Sequence, residues 1–240
     1  MAGKRMVFAA LLLLAAFAAG LGAFPRGDDF AAARQQMIQE IRTGGVTDAG
    51  VLTALDEVPR HLFVPDGERR EAYEDRPLRI GAGQTISAPS IVAIMTSLLD
   101  VKRGDRILEV GTGSGYQAAV LARLGAEVYS IEIIKPLGER ARRTLTELGY
   151  RNVHLRIGDG YEGWPSAAPF DGIIVTAAPP RIPEPLLRQL KTGGKLVIPV
   201  GDGLQDLLVL TKRRDGGFDR RKVLPVLFVP MTGEAQKRPP

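Results

Sequence analysis

The chain has no cysteine in its 240 residues, and this absence removes several kinds of site at once. Disulfide bridges, thiolate metal sites, a cysteine nucleophile and an acylated cysteine anchor are all excluded. Histidine is almost as scarce, because only His61 and His154 occur, and their separation does not match the ligand spacing of a metal site. The sequence therefore predicts no metal site.

Composition is otherwise that of an ordinary globular protein, with 45% hydrophobic and 25% charged residues. The length suits one α/β domain with additions. The formal net charge is +5, but the excess of basic residues lies in 1–26 and 212–240, and the body between them is slightly acidic. The positive net charge therefore does not predict a nucleic-acid partner.

The first 25 residues have the pattern of a targeting segment. Lys4 and Arg5 precede an uncharged run over 6–25 that is rich in Leu and Ala. The run is almost long enough to span a bilayer, and its positive flank would stay inside. We expect 1–25 to be a signal peptide or a membrane anchor, with membrane contact only through 6–25 if it is retained. Either predicts export or inner-membrane anchoring, while a non-exported segment behind a misplaced start codon stays open.

Helical spacing of apolar residues predicts three helices before residue 100. The first covers 28–43, a short second one follows Asp48, and the third contains the apolar residues of 91–99. Ser87 is predicted to be the N-cap of the third helix, with Pro89 in its first turn.

From Val101 onward the pattern alternates between strand and helix. Strands are predicted at 106–110, 127–132, 153–157, 171–176 and 195–200. Helices are predicted at about 115–124, 136–148 and 183–191. Such alternation is typical of a mostly parallel sheet with helices on both faces. Two later apolar segments flank a turn-like sequence and predict a C-terminal antiparallel hairpin, with strands at 207–212 and 223–230 and the turn at 213–217.

The segment from Arg106 to Tyr116 is the most informative one for function. Its strand reaches Glu109 and is followed by Gly111, Gly113 and Gly115, which alternate with small residues. Glycines allow a tight turn and a close approach of the backbone to a ligand. The spacing differs from the G-x-G-x-x-G of a dinucleotide site, and an acid ahead of the first glycine would repel a phosphate. The segment favours the cationic S-adenosylmethionine, with another nucleotide or a plain strand–turn–helix as alternatives.

Acidic residues stand at the ends of three successive predicted strands. They are Glu109, Glu132, which could accept from both ribose hydroxyls, and Asp159, which could accept from an adenine amino group. Ligands of open α/β sheets bind beyond the carboxyl ends of the strands. One such acid alone could equally be a solvated strand end, but three beside a glycine loop favour a binding site.

The fourth predicted strand ends in the segment 176–180, Thr-Ala-Ala-Pro-Pro. It supplies neither the polar residue nor the aromatic platform that methylation of a base nitrogen would use. A carboxylate acceptor needs less help, because it is ionised near neutral pH, with a reference pKa of about 4, and can attack a methyl group without a general base. Ser87, at a predicted helix N-terminus, is either a cap alone or a cap that also contacts an anionic substrate.

With these residues assembled, the chain resembles the protein-L-isoaspartate O-methyltransferase family over about 28–232. The segments that carry the resemblance are 58–65 (VPRHLFVP), 83–89 (GQTISAP), 108–116 (LEVGTGSGY), 158–160 (GDG), 170–180 (FDGIIVTAAPP), 190–201 (LKTGGKLVIPVG) and 228–232 (FVPMT). It implies a Rossmann-like methyltransferase fold with an N-terminal helical addition. The divisions expected are the leader 1–25, a substrate-side region 27–100 and a donor-binding core 101–240.

The resemblance also implies an activity. The family transfers a methyl group from S-adenosylmethionine to the α-carboxylate of L-isoaspartyl residues in damaged proteins, and the ester collapses to a succinimide that returns some normal aspartyl linkages. The family's active-site serine falls on Ser87. Its donor-binding residues fall on Gln84, Thr85, Ile86, Ser87, Glu109, Gly111, Gly113, Gly115, Glu132, Asp159, Gly160 and Thr232.

Alternatives to this activity remain at the level of the sequence. One is a methyltransferase of another acceptor, such as a small acid or RNA. Another is a donor- or peptide-binding module without turnover. We expect damaged proteins as partners, no nucleic acid, and a monomer. The family is typically cytoplasmic, which disagrees with the predicted leader.

Overall fold

The computed structural model describes residues 30–237. The predicted leader, 1–25, lies outside the described residues. Within 30–237, no helix has both the length and the apolar character needed to cross a membrane.

Seven helices and nine strands are described. The helices are α1 (Ala31–Thr43), α2 (Ala49–Glu57), α3 (Pro89–Leu99), α4 (Tyr116–Arg123), α5 (Lys135–Glu147), α6 (Glu184–Gln189) and α7 (Glu234–Lys237). The strands are β1 (Leu78–Gly81), β2 (Gln84–Ile86), β3 (Arg106–Val110), β4 (Glu127–Glu132), β5 (Val153–Ile157), β6 (Phe170–Val175), β7 (Leu190–Val200), β8 (Gln205–Lys212) and β9 (Phe218–Val226).

The main sheet has seven strands in the order β5-β4-β3-β6-β7-β8-β9. Strands β3 to β7 are parallel, and β8 and β9 add an antiparallel hairpin. The chain runs outward from β3 to β5 and then returns to β6 on the other side of β3. The topological switch point, where ligands of such sheets bind, therefore lies at the carboxyl end of β3. The predicted fold is confirmed.

Both faces of the sheet are covered, which explains why its central strands are apolar throughout. Alternate residues of a strand point to opposite faces. Ile107 accordingly packs into the cluster that contains Leu121 of α4, whereas Leu108 packs into the cluster that contains Leu186 of α6. All four side chains are buried. The N-terminal helices α1 and α2 extend the first cluster and place the segment before α3 against the sheet.

Two strands differ from their predicted bounds by more than two residues, for identifiable reasons. The predicted strand 195–200 begins at Leu190, because Phe170 pairs with Leu190 and the register then shifts before Lys195, so that the glycines of 193–194 form a bulge rather than a break. The last strand covers Phe218–Val226 instead of 223–230. Its charged first half suits an exposed edge strand.

Candidate active site

The main cavity lies at the carboxyl ends of β3, β4 and β6, at the switch point of the sheet. Its empty volume is about 920 Å³ with the open mouth included, which is the size of a small-molecule site. Nine of the predicted site residues line it: Gln84, Thr85, Ile86, Ser87, Gly111, Gly113, Glu132, Gly160 and Thr232. Segments far apart in the sequence therefore meet in one place, as predicted.

The glycine loop is held in shape by backbone hydrogen bonds to the neighbouring strand. The N–H groups of Gly111 and Thr112 both donate to the carbonyl oxygen of Ile131, at 2.9 and 3.2 Å. The hydroxyl of Thr176 donates to the carbonyl oxygen of Gly111 at 2.5 Å. Gly111 has φ +100°, a conformation that glycine adopts without steric cost. The loop is thus fixed between β4 and the end of β6.

Glu132 is the one charged side chain among the described residues that line the cavity. It is only 5% exposed, and each carboxylate oxygen accepts one backbone N–H, from Gly113 at 2.7 Å and from Ile134 at 2.8 Å. A carboxylate offers about four acceptor positions, so capacity for ligand hydroxyls remains. A buried acid with no cation beside it in the wall favours a cationic or hydroxyl-bearing ligand over a phosphate.

Ser87 lies at the junction of this cavity with a second one, because it lines both, together with Thr85, Thr176 and Val229. The predicted capping role of Ser87 is wrong. Ala88 is the N-cap of α3, and Pro89 is its first residue, as predicted for the first turn.

One backbone N–H group in the first turn of α3 is hydrogen-bonded to a carboxylate from another segment of the chain. The carboxylate of Asp75 accepts from the backbone N–H of Ser90 at 2.8 Å. Asp75 comes from the segment before β1, and sequence spacing gave no signal that it would reach this helix. The side chain of Ser87 is therefore not consumed in capping.

The buried side chain of Arg60 hydrogen-bonds to the backbone of the segment that contains Ser87. Its guanidinium is fully buried, donates to the carbonyl oxygens of Ala72 and Ser87, both at 2.7 Å, and lies 4.8 Å from the ring centroid of Tyr116. Burial lowers the pKa of Arg60 to about 10, so it remains charged at neutral pH. Since Tyr116 lines the main cavity, Arg60 connects the Ser87 segment to the start of α4.

Comparison with known proteins identifies the family. The model of the protein-L-isoaspartate(D-aspartate) O-methyltransferase family matches residues 32–236. The chain belongs to this family. It is 56% identical over 198 residues to the protein-L-isoaspartate O-methyltransferase of Gloeobacter violaceus, covering 82% of this chain and 96% of the relative.

Solved structures of this family agree. One protein-L-isoaspartate O-methyltransferase superposes with a TM-score of 0.78 at 30% identity, covering 84% of this chain and 67% of the other. A second, from Plasmodium falciparum and in complex with S-adenosyl-L-homocysteine, has a TM-score of 0.73 at 26% identity, covering 83% and 98%. The predicted enzyme class and methyl donor are confirmed by the family membership.

Three residues predicted to contact the donor do not line the cavity: Glu109, Gly115 and Asp159. Gly115 precedes α4, and a side chain there would meet Ala141 and Leu145 of α5, so its place is in helix packing. Asp159 accepts from the backbone N–H groups of Tyr161 and Glu234, at 2.9 and 2.8 Å, and so ties its turn to α7.

Glu109 lies fully buried beneath the glycine loop. The Ser130 hydroxyl donates to its Oε2 atom and is 2.5 Å from the hydroxyl of Thr112, whereas Oε1 has no partner among the described residues. Burial raises the pKa of Glu109 to about 8, and the charge of Glu132 adds to this, against the hydrogen bond from Ser130. Through Ser130, Glu109 is therefore connected to Thr112 of the glycine loop.

The raised pKa of Glu109 makes a testable difference to stability. Between the ordinary value of 4.5 and about 8 the folded state binds more protons than the unfolded state, so folding stability falls as pH rises through this window and levels off above it. We expect Glu109→Gln to lack this fall. Its stability relative to wild type should rise by at most about 1.4 kcal/mol per pH unit.

Urea unfolding of both proteins at pH 5, 6.5 and 8 measures this difference. Glu184→Gln, at an exposed position in the first turn of α6, is the control and should follow the wild-type pH profile. Parallel profiles of Glu109→Gln and wild type would show that Glu109 titrates normally.

Several lining residues had no sequence signal. Val92 and Met95 of α3 and Gln117 of α4 read as core positions of amphipathic helices. Thr112 and Ser114, in contrast, lie between the loop glycines and could have been included with them. Val229 to Met231 lie in the segment 228–232 that carries the family resemblance, and they reach the cavity because the chain beyond β9 pairs with Ala178.

Proposed function

We propose that this enzyme methylates the α-carboxylate of L-isoaspartyl residues in proteins at the junction of the two cavities, with Ser87 contacting the acceptor. S-adenosylmethionine supplies an electrophilic methyl group on a sulfonium when bound. The observation that carries the proposal is the position of Ser87, which lines both cavities. Donor and acceptor can therefore approach each other there from opposite sides.

The cavity wall fits the donor chemically. Glu132 accepts the ribose hydroxyls, and Gly160 lines the wall at a position where a Cβ atom would overlap Val110. Gly111, Gly113 and Gln84 contribute backbone and amide groups. Thr232 and the segment from Thr85 to Ser87 complete the wall. Glu109 and Asp159 act through the loop and the turn that they hold, and Gly115 through helix packing.

The protein has little chemistry to perform on the acceptor. A carboxylate is already the nucleophile at neutral pH, so alignment and exclusion of water are the contributions required of the site. The end of β6 supports this reading, because the Thr176 hydroxyl donates to the carbonyl oxygen of Gly111 and is not free to orient a base nitrogen. Methylation of RNA is disfavoured for the same reason.

The direct test compares two peptides that differ only in one linkage. Purified enzyme with labelled S-adenosylmethionine should label the isoaspartyl peptide and leave its aspartyl twin unlabelled. Equal labelling would indicate another acceptor. Absence of labelling with normal donor binding would indicate a module that binds without turnover.

Ser87→Ala should separate acceptor contact from donor binding. We expect kcat/KM for the isoaspartyl peptide to fall about tenfold, which corresponds to one hydrogen bond to a charged group. The affinity for S-adenosylhomocysteine, measured by calorimetry, should change less than about twofold. Ser90→Ala, three residues along on α3, is the matched control and should transfer normally. If transfer by Ser87→Ala is normal, Ser87 does not contact the acceptor.

The same proposal keeps the region 27–100 as the substrate side and 101–240 as the donor-binding core, although Gln84–Ser87 of the first also lines the donor cavity. The uncharged run after Lys4 and Arg5 supports a signal peptide or anchor over 1–25. Mass analysis of the mature protein tests this, because a start near Phe24 indicates cleavage. Sedimentation tests the expected monomer.

A further inference from the structure

The second cavity is lined by uncharged residues, most of which have apolar side chains. It has an empty volume of about 540 Å³, and none of the described residues that line it is charged. The wall away from Ser87 consists of Pro77, Ile91, Pro225, Leu227 and Phe228. A site that received only a carboxylate would not need such a wall, because an anion gains nothing from apolar surface.

Two leucines are exposed at the end of the β8–β9 hairpin. Leu227 and Leu204 are 83% and 78% exposed, which makes them the most exposed of the large hydrophobic residues in 30–237. Gln205 pairs with Val226 at the end of the β8–β9 hairpin, so the two leucines follow the same last pair. Of the two, Leu227 lines the second cavity, and an exposed leucine at a cavity is suited to contact an apolar group.

The exposure of Leu227 does not come from a loose segment. The side chain of Gln205 is buried, and its amide donates to the carbonyl oxygen of Phe228 at 2.9 Å and accepts from the backbone N–H of Phe228 at 2.6 Å. One residue further, the carbonyl of Val229 accepts from the backbone N–H of Ala178 at 2.8 Å. Phe228 and Val229, the two residues after Leu227, are thereby anchored, and Leu227 itself lines the cavity.

We propose that the second cavity and Leu227 bind an apolar side chain of the client polypeptide close to its isoaspartyl residue. This inference rests on the proposed function and names the substrate class more closely. An extended chain advances about 3.3 Å per residue, so a side chain one or two positions from the isoaspartyl residue reaches the cavity while the α-carboxylate is at Ser87. Favoured clients are then polypeptides in which an apolar residue near the damage is exposed, as in a locally unfolded segment.

Matched isoaspartyl peptides test the preference. They carry Leu, Ser, Lys or Glu at the positions flanking the isoaspartyl residue and are otherwise identical. We expect wild-type kcat/KM to be about tenfold higher for Leu than for Ser flanks, the size expected for partial burial of one leucine side chain. Lys and Glu flanks should be no better than Ser, because the cavity offers them no opposite charge.

Leu227→Ser tests the residue itself, and its high exposure means that the fold should tolerate the change. The preference for Leu over Ser flanks should fall to within about twofold, while affinity for S-adenosylhomocysteine stays as in wild type. Leu62→Ser, at a partly exposed leucine away from both cavities, is the matched control and should keep the preference.

The possible results distinguish a failure of this inference from a failure of the proposed function. Equal kcat/KM of wild type for all flanks, or a preference that survives in Leu227→Ser, would overturn this inference and leave the proposed function intact. Failure to methylate any isoaspartyl peptide would overturn the proposed function itself, and this inference with it.

Discussion

Gly111→Ala is expected to abolish donor binding and to destabilise the fold by about 2–5 kcal/mol. Two effects add at this position. Gly111 has φ +100°, which costs an L-residue about 1–2 kcal/mol. A Cβ atom there would also overlap the hydroxyl oxygen of Thr176, and such overpacking typically costs about 1–3 kcal/mol. Relief by turning Thr176 away would break its hydrogen bond to the Gly111 carbonyl. Urea unfolding and calorimetry with S-adenosylhomocysteine measure the two consequences.

The chain contains a control for the backbone effect alone. Gly45 has φ +102°, but a Cβ atom there would meet nothing within 4 Å. Gly45→Ala should therefore cost only about 1–2 kcal/mol and leave donor binding unchanged. Removing the obstructing hydroxyl in Gly111→Ala/Thr176→Ala should recover part of the lost stability. If the two single glycine variants are equally stable, contact with Thr176 is not responsible.

Glu132→Ala is expected to weaken binding of S-adenosylhomocysteine at least about 100-fold. Hydrogen bonds to a charged group contribute about 1.5–3 kcal/mol each, and this carboxylate is the one acid in the described cavity wall. Its removal also leaves the N–H groups of Gly113 and Ile134 without their acceptor, so the glycine loop loses a support. Glu132→Gln should be intermediate, because the amide keeps one acceptor oxygen but turns an NH₂ group towards one of these N–H groups.

A matched control for Glu132 lies on the same strand. Glu127, at the other end of β4, is 42% exposed and pairs with His154 at the surface. Glu127→Gln removes the same charge from β4 without touching the cavity, so donor affinity should remain within about twofold. Equal weakening in both variants would mean that net charge, and not the contacts of Glu132, determines affinity.

The glycine loop shows how far local sequence could go. Glycines in alternation at the end of an apolar strand predict a turn that approaches a ligand, and Gly111 and Gly113 line the cavity as predicted. Glu132 was also placed in the wall by its position at a strand end. Both placements depend on strand alternation and on the general rule for open α/β sheets, which need no knowledge of side-chain packing.

The acids at strand ends show that local sequence does not indicate which partner a carboxylate contacts. Glu109 and Glu132 both stand near the carboxyl end of a strand. Glu132 lines the cavity, whereas Glu109 is fully buried and accepts a hydrogen bond from Ser130. Asp159 points to backbone N–H groups of its own turn and of α7. A sequence indicates that an acid stands at a strand end, but it does not indicate partners such as Ser130 for Glu109 and Glu234 for Asp159, which are 21 and 75 positions away along the chain.

By itself the sequence determined the alternation of strands and helices over 106–200, the glycine loop and the family, since these follow from periodicity and from contiguous motifs. The tertiary structure alone decided that Asp75 reaches α3 and that Arg60 lies behind Ser87. It also decided that the strap after β9 brings Leu227 to the cavity beside Ser87. These contacts join segments whose separation along the chain is bridged only when hydrophobic burial folds them together, so no local pattern encodes them.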